Sequence, residues 1–127
     1  MKQNPHRMSW CSPDSYTLVV DSYRWKMTAH PHLWRPPTDV YEIEDAVVVR
    51  IEVAGIREQD LEISLDGRLL SVRGFRSDVT ERRAYHQIEI PFGEFGVQVE
   101  LPFSVATDQI QACYQDGFLK VFLPKTI

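Results

Sequence analysis

Apolar and polar residues alternate with a period of two through most of the chain beyond Pro36-Pro37. Val47, Val49 and Ile51 share one face of such a segment, while Arg50 lies on the other. The same alternation recurs at 61–65, 70–73, 88–90, 95–101 and 110–115. Because a period of two places successive side chains on opposite faces of a strand, each segment is predicted to bury one face. The pattern predicts an all-β fold of roughly seven to nine short strands in two antiparallel sheets packed face to face, an immunoglobulin-like sandwich.

Turn signals and the final segment refine this fold. Asp66-Gly67 and Asp116-Gly117 are typical of tight hairpin turns. The segment Phe118 to Leu123 is apolar on both faces except at Lys120, so it is expected to lie centrally or beneath another segment. No long helical period follows Pro37, and Gln59-Asp60 and Thr107-Asp108 are expected to start single turns only.

The first 35 residues differ in composition from the rest. All three Trp and all three Met lie before residue 36, and all six Gly lie after it. Prolines interrupt this region and it shows no clean period, which predicts a weakly ordered N-terminal arm. Its longest plausible element is Ser15 to Met27, which periodicity alone leaves open between helix and strand. The predicted organisation is an arm at 1–35, a sandwich domain at 36–125 and a short tail at 126–127.

Charge and hydropathy exclude several classes of protein. The net charge is −4, and it divides into +3 over residues 1–35 (five Lys/Arg, two Asp/Glu) and −7 over residues 36–127 (nine and sixteen). The basic arm has too few and too scattered cations for a nucleic-acid site. No apolar run approaches the roughly 20 residues that span a bilayer, and the N-terminus lacks the apolar stretch of a signal peptide. These features predict a cytoplasmic protein without a nucleic-acid or membrane partner.

The sequence offers no catalytic constellation, metal site or cofactor motif. His6, His30 and His32 have no metal-binding spacing, and no Cys or carboxylate completes a set with them. Cys11 and Cys113 match no redox spacing; Cys11 could form intermolecular disulfides on oxidation, and Cys113 is expected to pack as a small side chain. A Gly-rich phosphate loop is absent from the sequence. An enzyme is therefore not predicted.

The order of motifs in the second region resembles the α-crystallin domain of small heat-shock proteins, in their bacterial and plant form. The resemblance covers about residues 36 to 125. It is carried by Leu70-Ser71-Val72-Arg73-Gly74, by Phe92-Gly93-Glu94-Phe95 with Leu101-Pro102, and by Ala112 to Leu119 followed by Leu123-Pro124-Lys125. Departures include Ala54 in place of the usual Pro and Phe118 in place of Val. At the end, Thr126-Ile127 supplies at most half of the family's Ile-x-Ile tail motif.

The resemblance implies a holdase that binds partly unfolded proteins under stress and prevents their aggregation without ATP. Flexible segments rich in aromatic residues and Met can re-pack around different partners, so the arm is the predicted client-binding region. The predicted client-binding residues are Trp10, Tyr16, Leu18, Val20, Tyr23, Trp25, Met27 and Trp34. The alternative for these residues is packing onto the sandwich or onto a sister arm.

Two further sites follow from the resemblance. A groove at the sandwich edge would accept an extended tail, and its predicted walls are Leu61, Ile63, Leu65, Ile110, Ala112 and Tyr114. The arm, Ile127 or another protein's tail would fill it. A long loop would exchange between protomers through residues Phe75, Val79, Tyr85, His86, Ile88 and Glu89. The alternatives are that the groove residues are ordinary inner-face core and that the exchange segment is an ordinary charged surface loop.

The predicted partners are unfolded or aggregation-prone clients and further copies of the chain. Assembly is expected to give a homodimer or small oligomer, or a hetero-oligomer with a sibling chain that supplies the tail. The rival interpretation is a sandwich-type co-chaperone module that docks onto an ATP-driven chaperone and would be monomeric.

Overall fold

The computed structural model describes residues 20–21, by their backbone, and residues 33–126. The described chain is all-β, as predicted. Its strands are β1 (Val20–Asp21), β2 (Thr38–Ile43), β3 (Ala46–Glu52), β4 (Glu62–Asp66), β5 (Leu69–Arg76), β6 (Gly93–Glu100), β7 (Gln111–Gln115) and β8 (Phe118–Pro124). Within the described ranges, helical structure is limited to two single 3-10 turns, Glu58–Asp60 and Thr107–Gln109, where single turns were expected.

The strands form two four-stranded sheets. One sheet has the order β1-β4-β5-β6 and the other the order β2-β3-β8-β7. All strand pairs are antiparallel except β1 with β4, which run parallel. Strand β8 lies between β3 and β7, which confirms the central position predicted from its apolar faces. Trp34 adds a single bridge beside Phe95 on the outer side of β6.

The core lies between the two sheets and is lined by the inner faces that the alternation predicts. Val49, Ile51 and Val121 line it from one sheet, and Leu70 and Val97 from the other. These side chains are almost completely removed from solvent. Burial of branched aliphatic side chains from both faces is the main source of stability in a sandwich.

The two predicted hairpin turns are formed, and both use backbone with positive φ. At the β7–β8 turn Asp116 has φ 55° and Gly117 φ 83°, the combination that a two-residue type I′ turn needs. At the β4–β5 turn the central residues are Gly67, with φ 63°, and Arg68. Only glycine adopts this region without steric cost, so both positions favour Gly.

Substituting alanine for these two glycines is expected to separate backbone strain from crowding. Each replacement places a Cβ in the left-handed region, which costs about 1–2 kcal/mol. At Gly117 the new Cβ would also lie 3.1 Å from Cβ of Ala54, whereas at Gly67 nothing lies within 4 Å. Gly117→Ala is therefore expected to lower the free energy of unfolding more than Gly67→Ala, as measured by urea denaturation. Equal losses would contradict the close approach of Ala54.

The strand expected near 88–90 is not formed in the single chain. Residues 77–92 contain no strand and are exposed to solvent throughout. A strand requires a neighbour to satisfy its backbone groups, and the described chain offers none to this segment. The segment is called the long loop below.

Candidate client and partner surfaces

The six predicted groove residues belong to one hydrophobic cluster. Ile63, Leu65 and Ala112 are buried core residues, whereas Leu61, Ile110 and Tyr114 are partly buried and pack against that core. Strands β4 and β7 each lie at or next to the end of their sheet. The residues with accessible surface at this edge are thus half of the predicted set, and the others form the floor beneath them.

The arm reaches this edge of the sandwich. Val20 pairs with Ile63 and Asp21 with Ser64, parallel to β4. Main-chain pairing of an added strand is the way sheet edges accept extended segments. The edge of β4 therefore carries two residues of the arm.

Tyr114 links β7 to the segment that follows β3. Its hydroxyl donates a hydrogen bond to the carbonyl oxygen of Val53 over 2.8 Å. Burial raises the pKa of Tyr114 above its ordinary value. The phenol therefore stays protonated at neutral pH and fixes the segment after β3 beside β7.

The long loop exposes large apolar side chains. Val79 is 70% exposed, Ile88 68% and Ile90 64%. Tyr85 and Phe92 of the loop also present much of their surface, as does Phe75, which lies on β5 just before the loop. Clustered exposed apolar residues on one segment mark interaction sites. Four of the six predicted exchange residues, namely Phe75, Val79, Tyr85 and Ile88, are in this exposed set.

Part of the long loop has its own polar framework. The guanidinium of Arg83 donates to Asp78 over 2.9 Å, to Glu81 over 2.6 Å and to the hydroxyl of Tyr85 over 2.7 Å. Hydrogen bonding from Arg83 holds the pKa of Asp78 below its ordinary value. These bonds shape residues 78–85 locally without covering the apolar side chains beyond them.

Arg76 anchors the end of the long loop to the sandwich. Its guanidinium donates to the carbonyl oxygen of Pro91 over 2.6 Å and to that of Ala54 over 3.2 Å. It also lies 4.4 Å from the ring centroid of Trp34 and 5.3 Å from that of Phe92. A cavity of about 510 Å³ opens beside this cluster, between Pro37, Ile90 and Phe118.

Trp34, a predicted client-binding residue, is placed within this cluster. Its ring packs against Phe95 with centroids 5.3 Å apart, and its indole N–H donates to the carbonyl oxygen of Gly93 over 3.2 Å. Backbone bonds to Glu94 and Gly96 hold the residue beside β6. Part of the Trp34 side chain is therefore packed against the sandwich.

Trp34→Ala is expected to lower the free energy of unfolding by about 2–4 kcal/mol, because the ring contact with Phe95 and the stacking of Arg76 are both lost. Trp34→Phe keeps the ring and loses the indole hydrogen bond, so a loss of about 1 kcal/mol is expected. Urea denaturation measures both. A Trp34 that did not pack on the sandwich would leave the unfolding free energy of both variants at the value of the parent chain.

The other predicted client-binding residues lie outside the described part of the chain, apart from the backbone of Val20. They are Trp10, Tyr16, Leu18, Tyr23, Trp25 and Met27, and Ile127, Cys11 and the three arm histidines also lie outside it. Cys113 is buried in β7. Of the exchange residues, His86 and Glu89 are exposed in the long loop.

Sequence reasoning missed two elements of this surface. Val40, on strand β2, is 46% exposed, and within the described chain β2 pairs on one side only, with β3. Arg76 was not singled out, although it links the long loop, Ala54 and Trp34. An arginine at a strand end carries no signal in the sequence, because its partners are 15 to 42 residues away.

The described residues contain no group of three His, Cys, Asp or Glu side chains that could hold a metal ion. In residues 33–126 no helix is long and apolar enough to cross a membrane.

An antiparallel sandwich with an accessible strand edge and an exposed apolar loop is the kind of β module that binds extended polypeptide segments. Comparison with known proteins identifies the family of this sandwich. The model of the Hsp20/alpha crystallin family matches residues 39–127, and the chain belongs to this family. Membership supports a chaperone role in general terms.

Relatives and solved structures show the same likeness. The chain is 29% identical over 92 residues to small heat shock protein C2 of Rickettsia felis, covering 71% of this chain and 60% of that relative's length. The structure of hspA from Xanthomonas axonopodis is similar with a TM-score of 0.67 and 32% identity, over 72% of this chain and 94% of that one. A small heat-shock protein from Xylella fastidiosa is similar with a TM-score of 0.66 and 30% identity, over 74% and 88%.

Proposed function

We propose that this protein is an ATP-independent holdase that binds partly unfolded proteins and prevents their aggregation. The observation that carries the proposal is the match of residues 39–127 to the Hsp20/alpha crystallin family. Partly unfolded chains expose apolar surface and strand edges, and these are the groups that a sandwich edge and an apolar arm can cover.

Client binding is assigned to the N-terminal arm. Its aromatic and Met side chains offer large apolar contact area without a fixed shape, which suits partners of many sequences. The pairing of Val20–Asp21 with β4 supports the arm as the resting occupant of the edge groove. A client strand or another chain's tail would then compete with the arm for the edge of β4.

Assembly is assigned to the long loop and to β2. The loop exposes Ile88 and Ile90, and the outer edge of β2 is open within the described chain and exposes Val40. A loop that adds as a strand to the partner's β2 would satisfy both sets of backbone groups and bury the apolar side chains. A homodimer built this way is the basic unit, and further contacts yield a small oligomer. The small heat-shock protein from Xylella fastidiosa is described as having a distinct high order structure.

The proposal is tested by light scattering of an aggregating client protein, with this protein added at near-equimolar ratio and without nucleotide. Suppressed scattering is expected, because burial of exposed apolar surface needs no ATP. Unchanged scattering in the presence of the folded protein would contradict holdase activity.

The rival function is a co-chaperone module that docks onto an ATP-driven chaperone. The exposed apolar loop favours self-assembly over this rival, since a monomeric module has no partner strand to cover Ile88 and Ile90. Sedimentation analysis decides between them: a dimer or small oligomer is expected, and a monomer at all concentrations would favour the co-chaperone.

A further inference from the structure

Arg76, the last residue of β5, contacts three separate parts of the chain. Its Nε and one terminal nitrogen both donate to the carbonyl oxygen of Pro91, over 3.0 and 2.6 Å, and its other terminal nitrogen donates to that of Ala54 over 3.2 Å. Its guanidinium lies 4.4 Å from the ring centroid of Trp34. The residue therefore joins the end of the long loop, the segment after β3 and the end of the arm. These contacts are called the Arg76 clamp.

The Arg76 clamp lies at the base of the long loop. Pairing between β5 and β6 ends at Arg76 and Gly93, so the chain leaves the sheet after the first residue and returns to it at the second. Gly93 has φ 96°, a conformation that turns the backbone sharply where the loop enters β6. Trp34 donates its indole N–H to the carbonyl oxygen of this glycine over 3.2 Å. Two side chains, Arg76 and Trp34, thus hold the arm end and the loop base together.

Apolar packing contributes little to holding this end of the loop. Ile90 is 64% exposed and Phe92 43%, and a cavity of about 510 Å³ lies between Ile90 and Phe118. An apolar side chain that keeps most of its surface in water gains little from burial. Hydrogen bonds from a charged donor are stronger than those between neutral groups, and a guanidinium over an indole ring adds a cation–π contact. Among the described residues, the Arg76 clamp is therefore the main non-covalent restraint on residues 90–92.

We infer that Arg76 is a positioning residue for assembly, which fixes how the long loop leaves the sandwich and makes this depend on Trp34. This role rests on the proposed function, in which the loop adds as a strand to the partner's β2. An added strand must be presented in the correct register. A loop base that is restrained before association lowers the ordering cost of binding, so the clamp is expected to strengthen the dimer.

Trp34 acts through Arg76 because of the shape of the guanidinium group. A guanidinium donates hydrogen bonds in its plane and stacks through its faces, so one arginine can hold two carbonyl oxygens and a ring at the same time. The ring of Trp34 supports one face while the N–H groups reach Pro91 and Ala54. Loss of this ring frees the guanidinium to adopt other rotamers and weakens its hold on Pro91.

Arg76→Met tests the clamp, since methionine keeps an unbranched apolar stem and loses the charge and all the N–H donors. The dimer dissociation constant of the full chain, measured by sedimentation equilibrium, is expected to rise about tenfold, the ratio that corresponds to 1.4 kcal/mol. Arg68→Met is the matched control, because Arg68 forms an ion pair with Glu100 at the opposite end of the β5–β6 pair. The control is expected to leave the constant unchanged. Equal weakening by both substitutions, or none by Arg76→Met, would overturn the positioning role.

A double-mutant cycle tests the dependence on Trp34. Trp34→Leu keeps an apolar side chain beside Phe95 and removes the ring face next to Arg76. It is expected to raise the dissociation constant about fivefold, the ratio for a cation–π contact of about 1 kcal/mol. In the Arg76→Met chain the same substitution should change the constant by less than about twofold. Trp34→Phe keeps a ring face and should restore a constant close to that of the parent chain.

A purely structural Trp34 would give a different result in this cycle. Trp34→Leu would then lower the free energy of unfolding, and the dissociation constant would change equally in both backgrounds or in neither. Either outcome would overturn the link between Trp34 and the loop.

The clamp is also measurable without a dimer, in the full chain carrying Ile88→Asp. The backbone amide order parameters of Ile90 and Phe92 are expected to be about 0.85, as in rigid backbone, and to fall below about 0.6 when Arg76→Met is added. Adding Arg68→Met instead should leave them unchanged. Rigid amides in the Arg76→Met chain would overturn the clamp. If the parent chain is monomeric at all concentrations, the proposed assembly fails, whereas the order parameters still report on the clamp.

Arg76→Lys applies if Arg76→Met does not fold. Lysine keeps the positive charge beside Trp34 but has one ammonium group in place of the planar fork, so it cannot hold Pro91, Ala54 and the ring together. The dissociation constant is expected to rise about fivefold, the effect of one net hydrogen bond. A constant equal to that of the parent chain would overturn the role of the guanidinium.

Discussion

Replacing Trp10 and Trp25 together with serine is expected to remove most client protection while the sandwich remains folded. Tryptophan contributes large contact area and dominates many protein interfaces. The molar excess of protein needed to halve client light scattering should rise by about tenfold or more, the effect of 1.4 kcal/mol of lost binding free energy. Light scattering gives this ratio, and the unfolding free energy of the variant reports the integrity of the sandwich.

A matched control leaves the aromatic residues of the arm in place. Ser12→Ala and Ser15→Ala change the same segment by a similar number of positions and are expected to keep full protection. If the tryptophan variant also protected clients fully, client binding would have to be moved from the arm to the edge groove formed by β4 and β7.

Ile88→Asp is expected to dissociate the proposed dimer. Ile88 is 68% exposed in the single chain, so a charge there costs little in the monomer. In a dimer the side chain would be buried against the partner's β2, and burial of an unpaired carboxylate is strongly unfavourable. The dimer dissociation constant should rise about thirtyfold or more, the effect of an interface residue worth 2 kcal/mol. Sedimentation equilibrium measures this constant.

Gln87→Asp is the control for the loop substitution. Gln87 is the neighbour of Ile88, so in an added strand its side chain would point to the opposite face. The same charge there is expected to leave the dissociation constant close to that of the parent chain. Equal weakening by both substitutions would indicate general repulsion, and no weakening by Ile88→Asp would exclude the loop as the dimer contact.

The two experiments test the arm and the long loop separately, because the roles of these two segments rest on different observations. Client binding by the arm is assigned from composition and resemblance, since the arm side chains before residue 33 lie outside the described residues. The loop is assigned from exposed apolar side chains as well as from resemblance. If one of these variants loses client protection but remains a dimer, or dissociates but still protects clients, then client binding and assembly use different surfaces.

Alternation in the sequence was sufficient for most of the fold. Val47, Val49 and Ile51 face the core as predicted, and Asp116-Gly117 forms the turn that its residues favour. These features are local, because period and turn preference depend on a few adjacent residues. The central position of β8 also followed, since a strand apolar on both faces is unstable at a sheet edge.

The groove could be located only in part. The sequence placed Ile63, Leu65, Ala112 and Tyr114 on β4 and β7, whereas Leu61 and Ile110 directly precede these strands. It could not tell the buried members of the set from the partly exposed ones. Exposure depends on what lies opposite each residue in the other sheet and in the neighbouring loops. Residues far apart in the chain decide this, so alternation within a strand cannot report it.

By itself, the sequence determined the all-β class, most of the strand positions, the two turns and the family resemblance, because each depends on short-range patterns. Tertiary structure decided three further features. The segment near Ile88 and Ile90 is a loop, because no described strand of the same chain pairs with it. Trp34 and Arg76 form one cluster, and Val48 is buried on the face where a polar surface was expected. Each of these depends on long-range contacts, and such contacts exist only once the two sheets and the segments around them have come together.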